Sequence, residues 1–515
     1  MKKIYKSLTV SAIVATVSLS ALPQSLAITH ESQPTKQQRT VLFDRSHGQT
    51  AGAADWVSDG AFSDYADSIQ KQGYDVKAID GHSNITEASL KSSKIFVIPE
   101  ANIPFKESEQ AAIVNYVKQG GNVVFISDHY NADRNLNRID SSEAMNGYRR
   151  GAYEEDMSKG MNAEEKSSTA MQGVKSSDWL STNFGVRFRY NALGDLNTSN
   201  IVSSKESFGI TEGVKSVSMH AGSTLAITNP EKAKGIVYTP EQLPAKSKWS
   251  HAVDQGIYNG GGKAEGPYVA ISKVGKGKAA FIGDSSLVED SSPKYVREDN
   301  EEKKKTYDGF KEQDNGKLLN NITDWMSKDS DGKSLKASGL TLDTKTKLLD
   351  FERPERSTEP EKEPWSQPPS GYKWYDPTTF KAGSYGSEKG ADPQPNTPDD
   401  HTPPNQNEKV TFDIPQNVSV NEPFEMTIHL KGFEANQTLE NLRVGIYKEG
   451  GRQIGQFSSK DNDYNPPGYS TLPTVKADEN GNVTIKVNAK VLESMEGSKI
   501  RLKLGDKTLI TTDFK

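Results

Sequence analysis

Four segments place a carboxylate directly after an apolar run, and two of them add a histidine. They are Asp44-Arg45-Ser46-His47-Gly48-Gln49, Glu100-Ala101-Asn102, Ser127-Asp128-His129-Tyr130-Asn131 and Gly283-Asp284-Ser285-Ser286. Oxygen and imidazole donors of this kind suit a divalent cation: calcium, magnesium, manganese or zinc. Asp44, His47, Asp128, His129 and Asp284 form the candidate ligand set. Carboxylates gathered without a cation repel one another, so their convergence itself argues for one. A cation so held polarises a phosphoryl oxygen and lowers the pKa of a bound water. His47 or His129 is then the candidate to take or deliver the proton near neutral pH. Arg45 and Arg134 are candidates for stabilising the charge of the transition state, with Arg138, Arg149 and Arg150 close by in sequence.

A plainer explanation competes at each position. An Asp after a strand often caps a helix or organises a turn. The arginines equally suit pairing with nearby carboxylates. His220 and His251 are weaker candidates, more in keeping with structural roles, and His82 and His429 are bystanders. Ser46, Ser127 or Ser285 as a nucleophile lacks a nucleophile-elbow motif around it, and phosphate-loop, dinucleotide and His-Glu-x-x-His motifs are absent.

The elements that must position these groups follow from periodicity. Thr40–Asp44, Asp75–Ile79, Lys94–Pro99 and Asn122–Ser127 read as strands, the later two as apolar runs typical of burial on both faces. Helices are expected near Ala61–Gln72, Lys106–Gln119 and Asn315–Met326. This alternation argues for a doubly wound, mostly parallel α/β sheet over residues 38–350, with an insertion at about 130–200. Further strands are expected at Val214–His220, Ser223–Ile227, Gly235–Tyr238, Tyr268–Lys273 and Lys278–Gly283. In open sheets of this kind ligands bind outside the carboxyl ends of the strands, so residues distant in sequence converge there.

Residues 353–408 are proline-rich and read as a linker, yet they hold Trp365, Tyr372, Trp374, Tyr375, Phe380 and Tyr385. Such a concentration of rings implies packing back onto the first domain, or a stacking surface for glycan or bases. Residues 409–515 alternate in short segments separated by turns such as Asn480-Gly481, which suits a small immunoglobulin-like β-sandwich.

Residues 1–27 read as a secretory signal peptide: Lys2, Lys3 and Lys6, an apolar run, then Ser25-Leu26-Ala27. A secreted, extracellular location is therefore expected. The chain of 515 residues has no cysteine, which excludes thiolate chemistry and thiolate metal sites. Its net charge of −6 disfavours a passive nucleic-acid coat but permits an enzyme on phosphoesters, because a bound cation inverts the local field.

The order of elements resembles the class I glutamine-amidotransferase-like superfamily, of flavodoxin-like fold, and within it the divergent exported branches. Val41–Asp44, Lys94–Asn102, Gly120–His129 and Lys278–Asp284 carry the resemblance over residues 38–330. True amidotransferases use a nucleophilic Cys in a strand-to-helix turn. The corresponding strand end here is Ser127-Asp128-His129, so that activity is expected to be absent. The sequence thus points to an exported metal-dependent hydrolase of an anionic substrate, a phosphoester such as extracellular nucleic acid or nucleotide. The competing expectation is a non-catalytic extracellular protein that binds DNA or glycan, with the C-terminal domain as a contact to a cell-surface polymer.

Overall fold

The computed structural model describes residues 39–81, 84–133, 136–154, 156–250, 256–291, 294–298, 303–361, 368, 370–387, 409–448, 453–458, 464, 467–504 and 507–514. The leader-like segment, His82, Arg134, His251 and Trp365 lie outside these residues. The chain divides into two compact units, Met1–Gln394 and Pro395–Lys515.

The first unit is built on a seven-stranded sheet. Its strands are β1 (Thr40–Arg45), β2 (Asp75–Asp80), β3 (Ile95–Ile98), β4 (Asn122–Ile126), β5 (Ala233–Tyr238), β6 (Pro267–Val274) and β7 (Gly277–Ile282). Their order is β5-β6-β7-β4-β3-β1-β2. The five strands from β2 to β7 across the sheet are parallel, while β5 and β6 add an antiparallel edge. The expected strands near residues 217 and 225 form as Val217–Met219 and Leu225–Ile227 but pair outside this sheet.

The apolar runs of β1, β3 and β4 are wholly buried because both sheet faces are covered. Val41, Phe43, Ile95, Val97, Val124 and Ile126 face one core with α1 (Ser63–Lys71) and α3 (Asn315–Ser327). Leu42, Phe96, Ile98, Val123 and Phe125 face the other with α2 (Glu107–Gln119). Period-two alternation thus feeds both cores. Helix α2 stops at Gly120, whose φ of 115° permits the left-handed turn into β4.

Residues 353–387 extend this unit. Trp374, Phe380 and Tyr385 are buried, and Trp374 Nε1 donates to Glu165 Oε1 at 3.0 Å. Of the two expectations for this aromatic stretch, packing back onto the first domain is the one observed for its described part. Glu352, at its start, takes a bidentate contact from the buried Arg189 at 2.6 and 2.7 Å.

The second unit has two four-stranded antiparallel sheets around a single core. One sheet orders β8 (Lys409–Asp413), β9 (Phe424–Lys431), β12 (Val483–Val491) and β11 (Gly455–Ser458). The other orders Ser470–Thr471, β10 (Leu442–Lys448), β13 (Ser498–Leu504) and β14 (Lys507–Asp513). In β12 Val483, Ile485, Val487 and Ala489 point inward and the residues between them outward.

Candidate functional site

The register brings two of the acidic strand ends side by side. Ile126 of β4 pairs with Ile282 of β7, and Ser127 N continues the ladder to Ile282 O at 3.1 Å. Asp128 and Asp284 follow immediately. Asp128 Oδ2 accepts from Ser285 Oγ at 2.6 Å, and Ser285 Oγ also lies 3.2 Å from Glu289 Oε1. A single hydroxyl proton cannot serve both carboxylates, so this trio holds a further proton or repels itself. Glu289 Oε1 also accepts from Trp56 Nε1 at 2.8 Å.

Asp284 is fully buried. Its Oδ2 accepts from His220 N at 2.7 Å and Tyr268 Oη at 2.8 Å, and its Oδ1 from Ser286 N at 2.8 Å. Burial, then the charge of Asp128, pushes its pKa well above the usual carboxylate range against these hydrogen bonds. Burial and Asp128 likewise raise Glu289 to about 7. The His220 loop can approach only because residue 222 is glycine: a Cβ there would sit 2.4 Å from Asp284 Cβ.

Glu100, after β3, joins the same field. It is fully buried, and among the described residues no hydrogen bond of normal geometry reaches either carboxylate oxygen. Burial, then Asp128, Asp140 and Asp133, holds its pKa far up, eased in part by the nearby Ser141 hydroxyl. Asp140 caps the helix Ser141–Asn146 through Ser142 N at 2.9 Å, and burial and Glu143 raise it to about 7.

The open side carries an imidazole that sequence reasoning ranked low. His220 Nε2 lies 2.7 Å from Glu312 Oε2 and Nδ1 lies 3.2 Å from Asp195 Oδ1. Its ring stacks on that of Tyr307, with centroids 4.1 Å apart, and these acids line a cavity of about 240 Å³.

The β1 end is differently employed. Asp44 accepts from Ser46 N (3.0 Å), Ser46 Oγ (2.8 Å), Gln49 Nε2 (2.9 Å) and His47 Nδ1 (2.9 Å). His47 Nε2 lies 3.3 Å from Glu109 Oε2 of α2, and its ring stacks on Phe105 at 4.4 Å. Burial pulls the His47 pKa down, but Asp44 and Glu109 outweigh it and raise it to about 10. Protonated on both nitrogens, His47 has no lone pair for a metal or a substrate proton. His47 O accepts from Asn102 N (2.8 Å) and Ile103 N (3.0 Å), which staples the first strand end to the third.

His129 lies against Trp249, ring centroids 4.4 Å apart, with Nδ1 2.6 Å from Tyr130 O. Because a carbonyl oxygen only accepts, Nδ1 donates in this contact. Arg45 bonds Asp59 at 2.9 Å and Tyr385 Oη at 2.9 Å. Arg138 bonds Glu165, Arg149 lies 3.5 Å from Glu143, and Arg150 lies over the rings of Tyr190 and Tyr130. The pairing of arginines with local carboxylates is thus observed for Arg45, Arg138 and Arg149.

The strand ends therefore bring together Asp128 and Asp284, and add Glu289, Glu100, Ser285 and Tyr268. Among the described residues no group of three or more His, Asp or Glu side chains is disposed to hold a metal ion. Glu289 lies five residues after Asp284, just past a short 3-10 turn (Ser285–Leu287), a spacing that could have marked it.

No family model matches the chain, and no curated protein matches it. Solved structures similar to it include the following three. The mmIFT52 N-terminal domain is 11% identical with a TM-score of 0.34, over 56% of this chain and 97% of that one. A ThuA-like protein from Bacteroides uniformis ATCC 8492 is 13% identical with a TM-score of 0.33, over 58% of this chain and 95% of that one. Spo0M, a sporulation control protein from Bacillus subtilis, is 14% identical with a TM-score of 0.10, over 19% and 41%. The mixed, mostly parallel sheet here fits a flavodoxin-like core.

Proposed function

We propose that the first unit is a cation-dependent hydrolase of an anionic substrate, a phosphoester of the nuclease or phosphodiesterase kind. The observation that carries this reading is the pair of buried acids Asp128 and Glu289 on the Ser285 hydroxyl, with the buried Asp284 in the field of Asp128 beside them. The strongest charges acting on Asp284 and Glu289 include that of Asp128, so the site favours an added proton or cation. Asp128 and Asp284 are the residues to hold a divalent ion, which when bound supplies Lewis acidity and charge for the phosphoryl oxygens. Tyr268 and His220 N fix the orientation of Asp284. Glu289, which accepts from Trp56 Nε1 and lies 3.2 Å from Ser285 Oγ, is the candidate to take or deliver a proton beside these acids. Because Arg45, Arg138 and Arg149 are engaged with carboxylates, the substrate's negative charge is argued from the cation alone.

The chain is read as exported through residues 1–27, and its second unit as an immunoglobulin-like spacer. Binding without catalysis through the aromatic stretch is the weaker reading, because Trp374, Phe380 and Tyr385 are buried. The test is hydrolysis of bis(p-nitrophenyl) phosphate with manganese, magnesium, calcium or zinc, before and after exhaustive chelation. Turnover that needs the metal and is lost in Asp128→Asn supports the reading. Turnover indifferent to chelation removes the metal from it, and its absence with every metal removes the phosphoesterase.

A further inference from the structure

We infer that the first unit closes an amide cross-link between the Lys304 amine and the Asp55 carboxyl, with Glu298 carrying the proton. The three side chains meet in a closed place. Lys304 Nζ lies 2.8 Å from Asp55 Oδ1 and 2.7 Å from Glu298 Oε1, and the three side chains are 0%, 2% and 1% exposed in that order. Lys304 Nζ also donates to Thr50 Oγ1 and Ala54 O, each at 2.8 Å. Thr50 and Asp55 face each other in a short hairpin after β1, Thr50–Ala51 with Ala54–Asp55. Glu298 and Lys304 lie between β7 and α3, where Val296 bridges to Lys303.

Two features separate this cluster from an ordinary buried ion pair. Two carboxylates face a single ammonium, and among the described residues Asp55 Oδ2 and Glu298 Oε2 have no hydrogen-bond partner. Buried charges left in that state are costly, and condensation removes one of each sign. Burial, reinforced by the Glu298 charge, holds the Asp55 pKa above the usual carboxylate range against the pull of Lys304. A carboxyl that keeps its proton is the better electrophile. The cation is also a lysine. Arginine's planar fork is the usual choice for a buried pair, whereas an amine can give up its proton and attack a carbonyl carbon.

The step balances without a further reactant. Glu298 takes a proton from the Lys304 ammonium, and the freed nitrogen attacks Asp55 Cγ. A nitrogen 2.8 Å from one carboxyl oxygen is a single bond away from that carbon, close to the about 3–3.5 Å of a reacting pair. The N–C bond forms and one C–O bond of Asp55 breaks. The oxygen leaves as water with the two protons that the nitrogen gives up, one of them through Glu298, which returns to its starting state. Asp55 suits the electrophile because its strand is paired and its carbonyl O accepts from Val57 N and Ala61 N, each at 2.8 Å. Thr50 Oγ1 touches both carboxyls and is placed to steady the oxyanion. The bond ties the loop after β1 to the segment before α3 in a chain without cysteine. Trp56, the residue after Asp55, donates to Glu289, so the same tie steadies one wall of the acid site without depending on its chemistry.

The experiment is mass spectrometry of the purified whole chain, first intact under denaturing conditions and then after digestion with trypsin. The wild type should be lighter than its amino-acid sequence requires by one water, and its digest should yield a branched peptide that joins Asp55 to Lys304. Lys304→Met and Asp55→Ala should carry the full mass, and Glu298→Gln should leave the bond unformed in a folded chain. Circular dichroism of each variant separates loss of the bond from loss of the fold. The wild-type digest decides whether the bond exists even where a variant does not fold. Linear peptides carrying unmodified Asp55 and Lys304 in the wild type overturn the proposal. A branch from Lys304 to Glu298, or a folded Glu298→Gln chain that is still branched, overturns the roles assigned to the two acids.

Discussion

Two buried residues carry opposite lessons about charge. His47 is an imidazolium clamped between Asp44 and Glu109, with a pKa raised from 6.5 to about 10. Its contribution to stability is complete below pH 6.5 and is lost as pH rises through 10. His47→Gln leaves two buried carboxylates without their cation, and a loss of about 3–5 kcal/mol is expected from chemical denaturation. Nitrogen-15 NMR of the wild type should show both ring nitrogens protonated at pH 8, and a neutral ring there would refute the clamp. Glu289 is raised from 4.5 to about 7, so the folded state holds its proton more tightly than the unfolded one. Its stabilising effect is therefore present below pH 4.5 and fades toward pH 7. Glu289→Gln should flatten the fall in melting temperature between pH 5 and 7, and a fall as steep as the wild type's would contradict the assignment.

At the scale of elements, strand ends decide what the side chains can do. The three helices and the parallel strands were legible because continuous apolar runs and helical stripes alternate along the chain. The antiparallel edge of β5 and β6 was not, since burial on both faces looks the same in either direction. Asp128 and Asp284 could be paired from sequence because both follow apolar runs. The separate employment of Asp44 could not, because its partner Gln49 lies on a loop and its partner His47 is held from the far side by Glu109 on a helix across the sheet end. His220 was underrated for a related reason: its loop reaches the site through Gly222 rather than along a strand of the main sheet. Gly222→Val should push that loop off Asp284 and cost about 1–3 kcal/mol. Retained stability together with retained Asp284 contacts would show the close approach to be dispensable.

The whole molecule divides into two units at Gln394–Pro395, later than the change of composition at residue 353 suggests. Proline and charge made residues 353–387 look like a linker, whereas their aromatic rings bury against the first unit and Glu352 pairs with Arg189. A chain ending at residue 394 should therefore unfold at nearly the full-length temperature of the first unit. One ending at residue 350 loses Glu352, Trp374, Phe380 and Tyr385 and should melt well below it. Equal melting of the two truncations would show the strap to be incidental.

The central claim is that the buried acids at the ends of β4 and β7 take up a divalent cation for hydrolysis. Isothermal titration of the metal-stripped protein with manganese, beside Asp284→Asn, tests it most directly. The account predicts one site of micromolar or tighter affinity in the wild type, weakened at least about tenfold in the variant and accompanied by proton release near pH 6. Equal binding by both proteins, or none by either with manganese, magnesium, calcium and zinc, would contradict it.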